Sequence, residues 1–131
     1  MYVTLGTRPD ICLAVQTVLC FNSKPGLPHW EAVKRIFRYS IGTKDLWLAY
    51  EGQSKELVGY GDADGSMGED RKAVSGYMFI INGRAVSWSA KHQEIISLSM
   101  TESEYVAATY AAKKHSGFAP SSPNYSVSHS I

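Results

Sequence analysis

Two short stretches hold the carboxylates on which this chain of 131 residues could build chemistry. Asp62 and Asp64 follow the run Leu57-Val58-Gly59-Tyr60-Gly61, which reads as a strand delivering both acids to a Gly-rich turn. Glu102 and Glu104 fall where Thr101-Glu102-Ser103-Glu104-Tyr105-Val106-Ala107-Ala108 opens a helix. An acid at a strand end facing an acid on a helix packed over the sheet gathers hard oxygen ligands for a divalent cation from distant parts of the sequence. Each acid also has an ordinary reading. Asp in a Gly-containing turn is commonly a turn former, and Glu near a helix start is commonly half of a cap. Ser99 with Glu102 and Thr101 with Glu104 both have capping-box spacing, and spacing does not choose between them. Because the two glutamates are two apart on a helix, they point in different directions, so one can cap while the other serves another role.

Other constellations are weaker. Lys91, His92 and Gln93 form a polar patch, and His92 has no partner at metal-ligand spacing. Ser97 and Ser99 lack a Gly-x-Ser-x-Gly elbow, and there is no phosphate-cradling loop or dinucleotide fingerprint. Lys34 and Arg38 lie one helical turn apart with Arg35 close by. They offer a small cationic face for phosphate backbones, or an ordinary solvated face.

These residues need a scaffold, and the composition supplies one: 44% hydrophobic and 19% charged residues are those of a soluble globular domain able to bury a core. The net charge of +1 excludes no partner class. Cys12 and Cys20 lie in an apolar helical run without zinc spacing, which favours small core residues over a disulfide and a reducing compartment. Asp10 and Lys24 interrupt the N-terminal apolar run, and Met1 to Leu5 lacks a basic start. A soluble, intracellular protein with no membrane partner is therefore expected, nucleus or cytoplasm unresolved.

In chain order, Thr7-Arg8-Pro9-Asp10 has the form of a capping box ahead of Ile11, Ala14, Val15, Val18 and Leu19, whose helical spacing demands a cover. Asn22 to Gly26 ends that helix. A second begins near Pro28, carries Trp30, Val33, Phe37 and Ile41 on one side, and stops at Gly42. Leu46 to Tyr50 is strand-like, and Glu51 to Glu56 is a polar connector. Val74 to Ile81 and Arg84 to Ser89 read as strands joined at Asn82-Gly83, the strongest short hairpin signal. Ile95, Ile96 and Leu98 suggest a further short strand or an extended entry into the helix. From Ser116 to Ile131 the chain is Ser-rich with Pro120 and Pro123, as in a disordered tail.

Several of these motifs stand in register with one family. Leu57 to Asp64, Asp70-Arg71-Lys72-Ala73-Val74-Ser75-Gly76-Tyr77-Met78-Phe79, Val86-Ser87-Trp88-Ser89-Ala90-Lys91-His92-Gln93 and Leu98 to Ala108 closely resemble the ribonuclease H domain of Ty1/copia-type retrotransposon Pol polyproteins. Thr7 to Ile11, His29 to Tyr39 and Gly42 to Leu46 resemble the segment joining reverse transcriptase to that domain. No reverse-transcriptase catalytic motif is present.

The resemblance implies an α+β fold: an N-terminal helical segment, then a partial ribonuclease H-like fold of an antiparallel three-stranded sheet plus its first helix. Its domains would be 1–50, the helical connecting segment, 51–115, a truncated ribonuclease H-like domain, and 116–131, a disordered tail. It also implies Mg2+ as cofactor, an RNA–DNA hybrid as nucleic-acid partner, and Asp62 and Glu104 as catalytic metal ligands. Asp64, Asp70 and Glu102 belong to the motif's surroundings. The family's third catalytic Asp has no counterpart, since no Asp or Glu follows Glu104, and Gly65 stands where the family usually has Trp. A catalytically incomplete nuclease is expected, with an open sheet edge at the Asp62 strand that invites self-association. The rival expectation is a non-catalytic nucleic-acid- or protein-binding remnant using Lys34, Arg35, Arg38 and the free sheet edge.

Overall fold

Asn82 and Gly83 both take positive φ, 54° and 71°, the left-handed pair that a two-residue hairpin turn requires. In the computed structural model, which describes residues 2–52, 56–65 and 72–118, this turn joins β2 (Val74–Ile81) to β3 (Arg84–His92). β1 (Leu57–Asp64) pairs antiparallel with β2, giving a sheet of order β1-β2-β3. α4 (Met100–Ser116) packs over β1 and β2. The chain divides into a helical unit ending at Leu48 and this sheet unit, which begins at Ala49. It is an α+β arrangement, and the antiparallel three-stranded sheet with one helix is as expected.

Alternation sorts the sheet's side chains. Leu57, Gly59 and Ala63 of β1 are buried on the α4 side, as are Ser75 and Phe79 of β2. Phe79 is 1% exposed, and its ring meets Tyr77 at 5.7 Å and Phe118 at 5.5 Å between centroids. On α4 the matching face is Ser103 and Ala107, both 1% exposed. A β-carbon added at Gly61 would stand 3.4 Å from Ala111 Cβ, so the helix rides close against the strand there.

The structure departs from the sequence expectations at several points. β1 runs through Asp64, and so both aspartates lie in the strand rather than in a turn; the ladder continues because Gly76, Ser75 and Val74 pair with Asp62, Ala63 and Asp64. β3 reaches His92 for the same reason, opposite Val74. Leu46 to Tyr50 forms no strand. Tyr50 instead donates its hydroxyl to the Ala85 carbonyl at 2.6 Å, a side-chain contact in place of a ladder. Ile95, Ile96 and Leu98 form the irregular entry to α4 and are all more than half exposed. Ser116 still belongs to α4, and Phe118 packs on Phe79, so the described part of the expected tail is structured. The remainder of that tail, 119–131, lies outside the described residues, as do 53–55 of the connector and 66–71, which include Asp70 and Arg71 of the family motif.

The helical unit holds α1 (Tyr2–Gly6), a 3-10 turn (Pro9–Ile11), α2 (Cys12–Leu19) and α3 (Leu27–Gly42). The expected capping box at Thr7 does not form. Thr7 donates its hydroxyl back to the Val3 carbonyl at the end of α1, and Asp10 is taken by Arg8, whose Nε and Nη2 lie 3.0 and 2.9 Å from its two oxygens. Hydrogen bonding from Arg8 holds the Asp10 carboxyl below its ordinary value. Arg8 Nη2 also reaches Thr43 Oγ1 at 2.6 Å, fastening the turn to the end of α3. Cys12 is buried as expected, but Cys20 is exposed, and both are free. Among the described residues of this unit only Thr4, Ile11 and Cys12 are buried. The α3 stripe of Trp30, Phe37 and Ile41 is 57%, 61% and 70% exposed.

Candidate functional site

β1 and α4 carry the candidate acids, and their mutual direction fixes where the acids stand. At one end Gly65 abuts Met100, with an added β-carbon 2.8 Å from the Met100 Sδ; further back, Gly61 abuts Ala107 and Ala111. The helix therefore runs antiparallel to the strand. Glu104, one turn in from Met100, stands near the level of Asp62 and Asp64. Asp62 is exposed on the sheet face opposite α4, as alternation with Gly61 and Ala63 requires, and its Oδ1 accepts the Ala63 N–H at 2.9 Å. β1 pairs on one side only among the described residues, with β2, so Asp62 and Asp64 sit on an open edge.

The helix start decides between the two caps. Ser99, in extended conformation, accepts the Glu102 N–H on its hydroxyl at 3.1 Å, while Glu102 Oε2 accepts the Leu98 N–H at 2.6 Å. Glu102 is thus the reciprocal cap, and Glu104 is left exposed and without a capping role. Ser99→Ala is expected to cost about 1 kcal/mol of stability, read by chemical denaturation, because Glu102 N–H loses its acceptor.

The patch after the hairpin holds a residue whose role the sequence did not reveal. Gln93 is 2% exposed, and its backbone N–H and both ends of its side-chain amide are all used. Its backbone N–H donates to the Ala73 carbonyl at 2.8 Å, and its Nε2 donates to Ser75 Oγ at 2.8 Å and to the Ser103 carbonyl at 2.9 Å. Its Oε1 accepts the Ser97 hydroxyl at 2.7 Å. No periodicity signals such a residue, because its partners lie on β2, on α4 and in an irregular loop. Its neighbour Lys91 donates to Glu94 at 2.8 Å, and that hydrogen bond lowers the Glu94 pKa.

The expected cationic face lies on α3 of the helical unit. There Lys34 is engaged with Glu31, while Arg35 and Arg38 are exposed. Among the described residues no three His, Cys, Asp or Glu side chains are grouped to hold a metal ion, and no helix is long and apolar enough to cross a membrane. Two carboxylates are nonetheless a donor set of the right chemistry for Mg2+, which is commonly held by one or two carboxylates with water and substrate phosphates completing its shell.

The chain is 47% identical over 116 residues to the retrovirus-related Pol polyprotein from transposon TNT 1-94 of Nicotiana tabacum, covering 87% of this chain and 9% of that protein. It is 36% identical over 101 residues to the corresponding polyprotein from transposon RE2 of Arabidopsis thaliana, 76% of this chain and 7% of that one. The chain belongs to the copia-type retrotransposon Pol family. It spans less than a tenth of those two polyproteins. A shorter relative, secreted RxLR effector protein 161 of Plasmopara viticola, is 42% identical over 117 residues, 87% of this chain and 82% of the relative. No family model matches this copia-type Pol sequence, and no solved structure matches it.

Proposed function

We propose that the sheet unit is the ribonuclease H-like part of a copia-type Pol, with Asp62 and Glu104 as divalent-metal ligands of a site for RNA–DNA hybrids. One observation carries this reading. The cap at Ser99 consumes Glu102 and leaves Glu104 exposed at the level of Asp62; the two side chains leave opposite faces of the sheet, so an ion held by both would lie around the open edge of β1. When bound, Mg2+ would activate a water and stabilise the leaving oxygen of the cut RNA strand. The chain's own part is to hold two carboxylates. Asp62 is restrained by the β1–β2 ladder and by the Ala63 N–H, and Glu104 by a helix whose start is doubly capped. Two carboxylates by themselves hold Mg2+ weakly, so with Asp62 and Glu104 as its ligands the chain is expected to bind metal weakly and to turn over little hybrid.

The test is a Mn2+ titration of the full chain followed by paramagnetic broadening of its amides, beside labelled-hybrid cleavage in Mg2+. Broadening is expected at Asp62 and Glu104 and is expected to fall sharply in Asp62→Asn, with hybrid cleavage no faster than in that variant. Broadening unchanged by Asp62→Asn would remove the metal-site reading. Cleavage lost in Asp62→Asn would retain it and show that a further ligand completes the site.

A further inference from the structure

We propose that Gln93 is the positioning residue of this site, the link that sets Glu104 relative to Asp62; the inference rests on the metal-site reading above. Between the two acids runs a short path of backbone pairs and hydrogen bonds, and Gln93 is its centre. Asp62 adjoins Ala63, which pairs in the ladder with Ser75. The Ser75 hydroxyl accepts from Gln93 Nε2, and the same nitrogen donates to the carbonyl of Ser103, the residue before Glu104. Gln93 is itself held at both ends, by the Ala73 carbonyl on its backbone N–H and by the Ser97 hydroxyl on its side-chain oxygen.

Burial gives this link its leverage. At 2% exposure water cannot substitute for a lost partner, so removing the amide strands the Ser75 hydroxyl and the second lone pair of the Ser103 carbonyl. The rest of the α4 contact surface does not fix its position as strictly. Ser103, Ala107 and Ala111 are small, and Gly61, which lies against Ala107 and Ala111, has no side chain, so the packing offers few interlocking side chains to fix the helix in one setting. A directional amide bridging two elements restores a single setting. Groups that hydrogen-bond a metal ligand directly are typically worth about 10–100-fold in metal affinity, and Gln93, which acts one residue away through the Ser103 carbonyl, is expected near the lower end of that range.

Gln93→Glu keeps the size of the side chain and removes both N–H donors, setting a carboxylate against two acceptors. Gln93→Met keeps the length without charge. Both variants of the full chain are measured by amide hydrogen exchange and by Mn2+ titration, beside Asp62→Asn and Glu104→Gln. The expected result is faster exchange in residues 102–107 of α4 with the core amides around Phe79 still protected, and Mn2+ affinity reduced about tenfold or more. Adding Glu104→Gln to either Gln93 variant is expected to cost little further affinity, since both act on one ligand. Unchanged exchange in the first turns of α4, or lowered thermal stability with Mn2+ affinity intact, overturns the positioning role while leaving the metal site standing. Mn2+ affinity unmoved by Asp62→Asn and Glu104→Gln overturns both, and the carboxylate variants alone reveal that case.

Discussion

Phe79→Ala is expected to lower the stability of the sheet unit by about 3–5 kcal/mol, the usual cost of emptying a core aromatic site. Phe79 is 1% exposed, and its ring fills the space between β2 and α4 where the neighbouring positions cannot close in. Opposite it in the ladder is Gly59, which has no side chain to offer, and the helix presents Ala107, 1% exposed, on the same side. Phe118, past the end of α4, meets the ring in a tilted contact at 5.5 Å and so is held by the same residue. Truncation removes both the transferred apolar area and the contacts that dock the helix C-terminus. Chemical denaturation of the full chain measures the loss, and a change below about 1 kcal/mol would mean that this ring is not the core's centre.

Gly59→Ala is expected to destabilise by about 1–3 kcal/mol through overpacking, although alanine is otherwise a mild substitution. A β-carbon there would lie 2.6 Å from Phe79 Cε1 and 3.0 Å from Cδ1, and the ring is enclosed by Tyr77 and Phe118. The strand does not need glycine for its backbone dihedrals, since φ at Gly59 is not in the left-handed region. The cause is therefore space alone, and space can be returned. In a Phe79→Leu background, Gly59→Ala is expected to cost clearly less than in the native chain, a coupling that a double-mutant cycle measures. Equal costs in both backgrounds would place the strain elsewhere. The same reasoning separates Gly65, where the atom in the way is the Sδ of Met100, 56% exposed and free to swing aside.

The helical unit buries Thr4, Ile11 and Cys12 and leaves Trp30, Phe37 and Ile41 largely exposed, whereas the sheet unit closes a core around Phe79 and Leu57. Periodicity in the α3 stripe is sound helical patterning, yet a pattern states which side a helix would bury, and only neighbouring atoms decide whether it is buried.

Much of the local structure was legible from residue types. Asn82-Gly83 specified a turn with two positive φ values, and that turn set the pairing of Ile81 with Arg84 and of Ile80 with Ala85; beyond it an irregularity at Phe79/Ile80 shifts the register by one residue, which the turn did not determine. Pro28 marked the start of α3, and the order of motifs from Leu57 to Ala108 marked the family. These signals are short-range or one-dimensional, which is why a sequence carries them. Tertiary contacts settled the rest. β1 extended through Asp64 because Val74 to Gly76 lay across from it, and Thr7 failed to cap because Arg8 claimed Asp10. Of two caps with identical spacing, Ser99 and Glu102 formed one, with Ser103 turned to the buried Gln93 and Glu104 left outside. Helix phase against a sheet and satisfaction of a buried amide depend on residues far apart in sequence, and spacing along the chain contains neither.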